Sequence, residues 1–135
     1  MSVSQLYRWA GVIGIVAGGL NIMVEFAPAS LGRPLNLLVV LLGLWVLAAI
    51  YVRQRDASGI LGAIGYLINS LGLALLVGLV FTQVFVLAAL DTAFIGELFA
   101  GTLGLAALVS LVIFTVGVIL FGVATFRAAV FVRRK

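Results

Sequence analysis

Four long apolar segments, separated by short breaks, constrain the fold of this chain more than any other feature. A helix needs about 20 mainly apolar residues to cross the hydrocarbon core of a bilayer, and 65% of the 135 residues are hydrophobic. The pattern predicts an all-α integral membrane protein that folds as a four-helix bundle, with a single domain over residues 1–135. The predicted helices cover residues 6–26, 35–52, 59–90 and 103–132.

The breaks between the segments contain residues that end or begin helices. The first break, APASLGRP at residues 27–34, contains two prolines and a glycine. In the second, RQRDASG at residues 53–59, Asp56 or Ser58 could cap the third helix. The third, DTAFIGELFAGT at residues 91–102, predicts a short helix lying at the membrane interface. The apolar face of this short helix would consist of Phe94, Ile95, Leu98 and Phe99.

The third segment, residues 59–90, is longer than a membrane requires. As a straight helix it would measure roughly 48 Å, against a hydrocarbon core of about 30 Å. We therefore expect it to bend near Gly78 or to rise out of the lipid over residues 83–90. The fourth segment is expected to leave the membrane near Arg127, so that residues 128–135 extend into the interface or the cytoplasm.

Lysine and arginine predict the orientation of the chain. With four crossings, both termini and the break at residues 53–56 lie on one side, which then holds seven of the eight basic residues, while the other side holds Arg33. Because positively charged flanks stay cytoplasmic during insertion, both termini are predicted to be cytoplasmic, in the cytoplasmic membrane of a bacterium or archaeon. A cleaved signal peptide is the alternative for the first segment, since residues 27–29 resemble a cleavage site; we expect an uncleaved span.

A glycine-containing pattern occurs twice, in AGVIGIVAGGLNI at residues 10–22 and in SGILGAIGYLINS at residues 58–70. Lipid gives helices no hydrophobic reason to associate, so close approach over small residues drives their packing. We therefore expect the first and third helices to meet along these stretches. The repeat is also consistent with two parallel hairpins, residues 1–55 and 56–135, although glycines at helical spacing recur by chance. The predicted packing residues are Gly11, Gly14, Gly18, Gly59 and Gly62.

Asn21, Asn69 and Glu25 are the candidate ligand or ion residues. The two asparagines lie near the middle of the predicted membrane, where they form interhelical hydrogen bonds of about 0.6 kcal/mol each or bind an ion, a pigment or a lipid head group. We favour the interhelical bonds. Glu25 lies near the outer end of the first helix, where it pairs with Arg33, or with Arg33 and Asn36, or serves a proton or cation relay. We favour the pair.

The remaining polar residues are assigned to solvent and lipid. Asp91 and Glu97 are expected to cap and solvate the short helix, and to form an outer polar network with Arg33 and Asn36. No oxygen-rich cluster is spaced for calcium, so no metal site is expected. Membrane lipids are the expected partners of the basic tail, where anionic lipid would be attracted by Arg133, Arg134 and Lys135.

The absence of cysteine and histidine removes the usual metal ligands, the thiolate nucleophile and the commonest general base. We therefore expect no enzyme and no cofactor, and the charge is too small for nucleic-acid binding. The leading hypothesis is a non-catalytic protein that acts through helix–helix contacts, as an accessory subunit of a larger membrane complex or as a self-assembling homo-oligomeric scaffold. The alternative is a small transporter or binding protein for a hydrophobic or cationic ligand held between the helices, and a pigment bound through amide ligands is a third possibility.

Overall fold

The computed structural model describes residues 3–128, and over this range the chain is helical apart from short connections. The all-α class predicted from the sequence is confirmed. Three helices are long and apolar enough to cross a membrane, and the second of them is long enough to do so twice. The helices are α1 (Val3–Phe26), α2 (Ala29–Phe85), α3 (Thr92–Ala100) and α4 (Thr102–Ala128), with a 3-10 turn at Leu87–Ala89 between α2 and α3.

The long helix α2 consists of two arms that fold back on each other at Gly59. This glycine has non-helical dihedral angles, with φ of 57° and ψ of −152°. Tyr51 and Tyr66 stack with their ring centroids 4.3 Å apart, whereas a straight helix would separate them by roughly 22 Å. The first arm, residues 29–58, and the second arm, residues 60–85, are therefore antiparallel, and with α1 and α4 they give four helical segments in a bundle.

The break between the two arms is a single residue, and the loop predicted over residues 53–59 is wrong. Residues up to Ser58 are helical, and the Ser58 hydroxyl donates to the Arg55 carbonyl at 3.5 Å. Asp56 forms an exposed ion pair with Arg55 at 3.4 Å. Neither side chain caps the second arm, so the predicted cap is also wrong. Glycine reverses the chain here because its backbone reaches a positive φ that other residues rarely adopt.

The first break is likewise shorter than predicted, because α2 begins at Ala29 and not at residue 35. The amides of Leu31 and Gly32 donate to the Pro28 carbonyl at 2.9 and 2.8 Å, which starts the helix directly after the proline. Pro34 consequently lies inside α2. Pro34 lies in the second turn, where a proline has no amide to donate to the Ser30 carbonyl, and the helix continues through it all the same.

The second arm ends at Phe85, before the predicted end of the third helix at residue 90. The backbone stays helical through Gly78, whose carbonyl accepts a hydrogen bond of 2.9 Å from the Thr82 hydroxyl. The helix is therefore not broken near Gly78, which was one of the two expected alternatives. A 3-10 turn at Leu87–Ala89 follows the end of the helix.

A short helix between the last two long helices is confirmed as α3. Asp91 caps it, since its Oδ1 accepts a hydrogen bond of 2.9 Å from the Ala93 amide. Glu97 lies exposed on the same helix. A side-chain acceptor at this position satisfies one of the free amides at the helix start.

The hydrophobic core lies between the two arms of α2 and α4, and its centre is formed by Leu47, Leu73 and Phe121. α4 approaches the second arm at glycines. A Cβ atom placed on Gly65 would lie 2.6 Å from the Phe121 nitrogen, and one placed on Gly117 would overlap the backbone of Asn69. Small residues allow this close backbone approach, which is typical of helices that associate without a hydrophobic drive.

α1 packs on the first arm of α2 and adds no described residue to this core. Its closest glycine contact is at Gly14, where a Cβ atom would lie 3.8 Å from Val46 Cγ2. The predicted meeting of the glycines of the first and third helices is therefore wrong. Gly62 faces Ala124 of α4 instead, because the second arm directs its glycines towards α4. Within residues 3–128, nothing lies within 4 Å of a Cβ atom placed on Gly11, Gly18 or Gly59.

Candidate functional site

An apolar groove of about 400 Å³ lies between α1 and α4. Within the described residues, α1 and α4 do not pack against each other as the other neighbouring segments do. The gap between them is the groove, and the two arms of α2 form its floor. The wall on α1 consists of Gly14, Ala17, Gly18 and Asn21, and the wall on α4 includes Phe114 and Val118.

Glycines keep this groove open. Gly14 and Gly18 lie one turn apart on α1, and Gly43 lies on the floor. Nothing is within 4 Å of a Cβ atom placed on Gly18, while a Cβ atom on Gly43 would lie 3.4 Å from Leu73 Cδ2. Two of the glycines that the sequence assigns to helix packing, Gly14 and Gly18, therefore line an open groove in the single chain.

Among the described residues that line the groove, Asn69 is the one deeply buried polar residue. Its side chain comes from the second arm, where the backbone is held against Gly117, and the residue is 6% exposed. Its Oδ1 atom is buried and accepts no hydrogen bond from the described part of the chain. A buried acceptor without a donor costs about 1–3 kcal/mol relative to one that is paired. Such groups are rare in folded proteins and call for a specific explanation.

The structure brings Asn21 and Asn69 to the same groove but does not join them. Asn21 lies on α1 and is exposed, and Asn69 lies on the floor with its carbonyl oxygen unpaired. The interhelical bond favoured by the sequence is therefore wrong for this oxygen of Asn69. The reason is that α1 stands away from the second arm and packs on the first arm, so the two amides are on different sides of an open space.

Glu25 is exposed and is not part of the groove. Glu25 and Arg33 are both described by the structure, and the ion pair predicted between them is not formed, so that interpretation is wrong. Because α2 begins at Ala29, Arg33 lies in the second turn of that helix and lines a smaller cavity of about 210 Å³ with Gln83 and Phe99. The residues of the predicted outer polar network therefore do not form one cluster.

The remaining members of that network also lie apart. Asn36 is half-buried on the first arm, Glu97 is exposed, and Asp91 is used in capping α3. Residues 3–128 contain no group of acidic, cysteine or histidine side chains that could hold a metal ion. The predicted lipid contacts at Arg133, Arg134 and Lys135 lie outside the described residues.

Gln54 is a buried polar residue that sequence reasoning missed. It is 1% exposed, and its Nε2 donates a hydrogen bond of 2.7 Å to the Thr125 hydroxyl, while its Oε1 has no partner within residues 3–128. The charges of the RQRD stretch favour a loop when the sequence is considered alone. The signal that could have found Gln54 is helical spacing, since Leu47, Tyr51 and Gln54 share one face of a continuous helix.

Comparison of this chain with protein-family models, with curated proteins and with solved structures finds no match. The geometry of the groove and the composition of its walls are therefore the basis for the functional argument.

Proposed function

We propose that this chain is an integral membrane protein with four crossings and cytoplasmic termini, and that it binds a neutral apolar molecule in the groove between α1 and α4. The surface supports a membrane location. Large apolar side chains point outward along the helices, for example Phe26, Trp45 and Phe126 at 86%, 67% and 88% exposure. Soluble proteins rarely expose apolar surface on this scale. The distribution of basic residues supports the orientation.

The observation that carries the binding function is an open apolar groove with one buried unpaired amide oxygen, that of Asn69. The groove volume of about 400 Å³ falls within the range of roughly 300–1,000 Å³ that is typical of small-molecule sites. Such sites combine apolar walls with a few polar groups that orient the ligand. The residues lining the groove provide this composition.

The ligand is neutral because none of the described residues that line the groove is ionisable. A cation that enters the groove would lose its hydration shell, and no carboxylate among the described residues lines the groove to replace it. Burying an unpaired charge in an apolar site in this way is costly. Glu25, which the cationic alternative required, lies elsewhere. The transport or binding of a cation is therefore the less favoured form of this function, and access from the surrounding lipid suits an apolar ligand.

Filling the groove tests the binding function. Gly18 lines the groove, whereas its neighbour Gly19 does not, and a Cβ atom placed on either glycine would have nothing within 4 Å. We expect Gly18→Leu to remove a bound apolar molecule that Gly19→Leu retains. Native mass spectrometry of the protein purified in a mild detergent measures the retained mass. Wild-type protein without a bound molecule, or equal occupancy in both variants, would contradict the proposal.

An accessory-subunit or scaffold function is the second candidate, and it is favoured by the exposure of α1. No described residue of the span Arg8–Phe26 is buried, and the core is formed without α1. A helix of a second copy or of another membrane protein could therefore pack against α1 over its glycines. Mass measurement of the particle in detergent distinguishes the candidates, because a strictly monomeric particle that carries an apolar molecule supports the groove and contradicts the scaffold.

A further inference from the structure

We infer that the ligand carries a hydroxyl group, which donates a hydrogen bond to Oδ1 of Asn69; this rests on the proposed function of the groove. The ligand class is an uncharged molecule with an apolar body and one hydroxyl placed along that body and not at its end. The inference depends on three features of the site: the unpaired amide oxygen, its apolar surroundings and its depth along the helices.

The unpaired oxygen determines the chemistry of the partner. Oδ1 of Asn69 needs a hydrogen-bond donor, and no donor of the described chain reaches it. The terminal torsion of an asparagine side chain is soft, so the amide of Asn69 can rotate to present its oxygen to the groove. A hydroxyl group supplies the proton that this oxygen accepts, whereas an ether oxygen only accepts and leaves it unpaired.

The surroundings of Asn69 disfavour water as the partner. The neighbouring lining residues on the floor and on α4 are apolar, among them Leu73 and Phe114. A buried water molecule typically needs two to four polar partners. Among the described lining residues, Asn21 on the opposite wall is the other polar side chain, so a water at Asn69 would be short of partners. A ligand hydroxyl needs fewer, because the apolar body of the ligand fills the rest of the space.

The position of Asn69 along the second arm disfavours a phospholipid. It lies ten residues beyond Gly59, which is about 15 Å along the helix axis, and the hydrocarbon core of a bilayer is about 30 Å thick. The amide is thus close to the centre of the proposed membrane. A charged head group would have to leave the interface to reach it, at the high cost of burying charge in hydrocarbon. A single neutral hydroxyl can be buried there once it is hydrogen-bonded.

Three probes of similar chain length test the inference on the intact protein in detergent: hexadecan-8-ol, its methyl ether and hexadecane. Their dissociation constants are obtained from the ligand-dependent shift of the thermal unfolding midpoint. We expect wild-type protein to bind the alcohol about fivefold more tightly than either other probe, which corresponds to one net hydrogen bond. Equal binding of all three probes overturns the hydroxyl inference and leaves the groove function intact. If none of the three probes binds, both the hydroxyl inference and the groove function are overturned.

Variants locate the recognition at Asn69. In Asn69→Leu the preference for the alcohol should disappear while hexadecane still binds, because the shape of the groove is nearly kept. Asn21→Leu changes the other amide of the groove and should keep the preference. Retention of the fivefold preference in Asn69→Leu overturns the assignment to this residue. The comparison of alcohol and ether on wild-type protein decides the inference even where the Asn69 variant fails to fold.

Discussion

Gln54 donates a hydrogen bond from Nε2 to Oγ1 of Thr125 at 2.7 Å, and this bond joins the first arm of α2 to α4. Thr125 in turn donates to the carbonyl of Phe121 at 2.8 Å, within its own helix. The bond lies at the end of the bundle where α2 reverses direction, close to Gly59. It ties together two helical segments through residues that are 71 positions apart in the sequence, while the groove lies farther along the same helices.

The two partners of this bond should differ in how much stability their loss costs. In Thr125→Val, Nε2 of Gln54 is left buried without an acceptor, which costs about 1–3 kcal/mol. In Gln54→Leu, the threonine hydroxyl keeps its bond to the Phe121 carbonyl, and the unpaired Oε1 is removed as well, so we expect a loss below about 1 kcal/mol. The double variant should resemble Gln54→Leu. Unfolding in detergent measures the stability of each variant. A larger loss of stability for Gln54→Leu than for Thr125→Val would refute the prediction.

Gly59 should be far more sensitive to substitution than a helical glycine that has open space beside it. Its φ of 57° lies in a region where a side chain costs about 1–3 kcal/mol, and we expect Gly59→Ala to destabilise the protein by this amount. Gly19→Ala is the matched control. Gly19 is helical and has nothing within 4 Å of a Cβ position, so alanine there should be neutral or stabilising by up to about 1 kcal/mol. Similar unfolding midpoints for the two variants would show that the reversal does not depend on glycine.

The close approach of α4 to the second arm predicts a second pair of glycine variants. A Cβ atom on Gly117 would overlap the backbone of Asn69, whereas one on Gly122 meets nothing within 4 Å among the described residues. Gly117→Ala should force the helices apart and destabilise the protein by about 1–3 kcal/mol. Gly122→Ala, on the same helix, should leave stability unchanged or slightly increased. The pair is compared by thermal unfolding, and equal stability of the two variants would argue against this helix contact.

The helical class and the position of the long helices follow from the sequence, because apolar length is a strong and local signal. The connections do not. A proline at position 34 and a charged stretch ending at Ser58 both indicate loops by their composition, yet both are helical. Charged side chains on an exposed helical surface are compatible with a helix, and α2 continues through Pro34 although proline is unfavourable beyond the first turn. Propensity alone could not show that one glycine suffices for the reversal.

The candidate site was predicted only in part, for a physical reason. Helical periodicity places residues on a face, but it does not identify the neighbour that this face meets. Gly14 and Gly18 share one face of the first helix, as the spacing indicates, but this face borders a groove and the first arm of α2 and not the second arm. Asn69 is identifiable in the sequence because an amide within an apolar helix is conspicuous. That its oxygen lacks a partner depends on how α1 and α4 are spaced, which is a property of the folded chain.

The proposed orientation predicts opposite accessibility for the two ends of the second arm. The chain contains no cysteine, so single substitutions at exposed positions give unambiguous reporters. Ala57 lies beside the reversal at Gly59, on the proposed cytoplasmic side, and Ala93 lies in α3, on the opposite side.

A membrane-impermeant maleimide added to intact cells should label Ala93→Cys, and it should label Ala57→Cys after the membrane is permeabilised. Both variants should react equally in detergent, which controls for local burial. Labelling of Ala57→Cys in intact cells, with protection of Ala93→Cys, would reverse the orientation, since seven of the eight basic residues would then lie on the outer side against the charge rule.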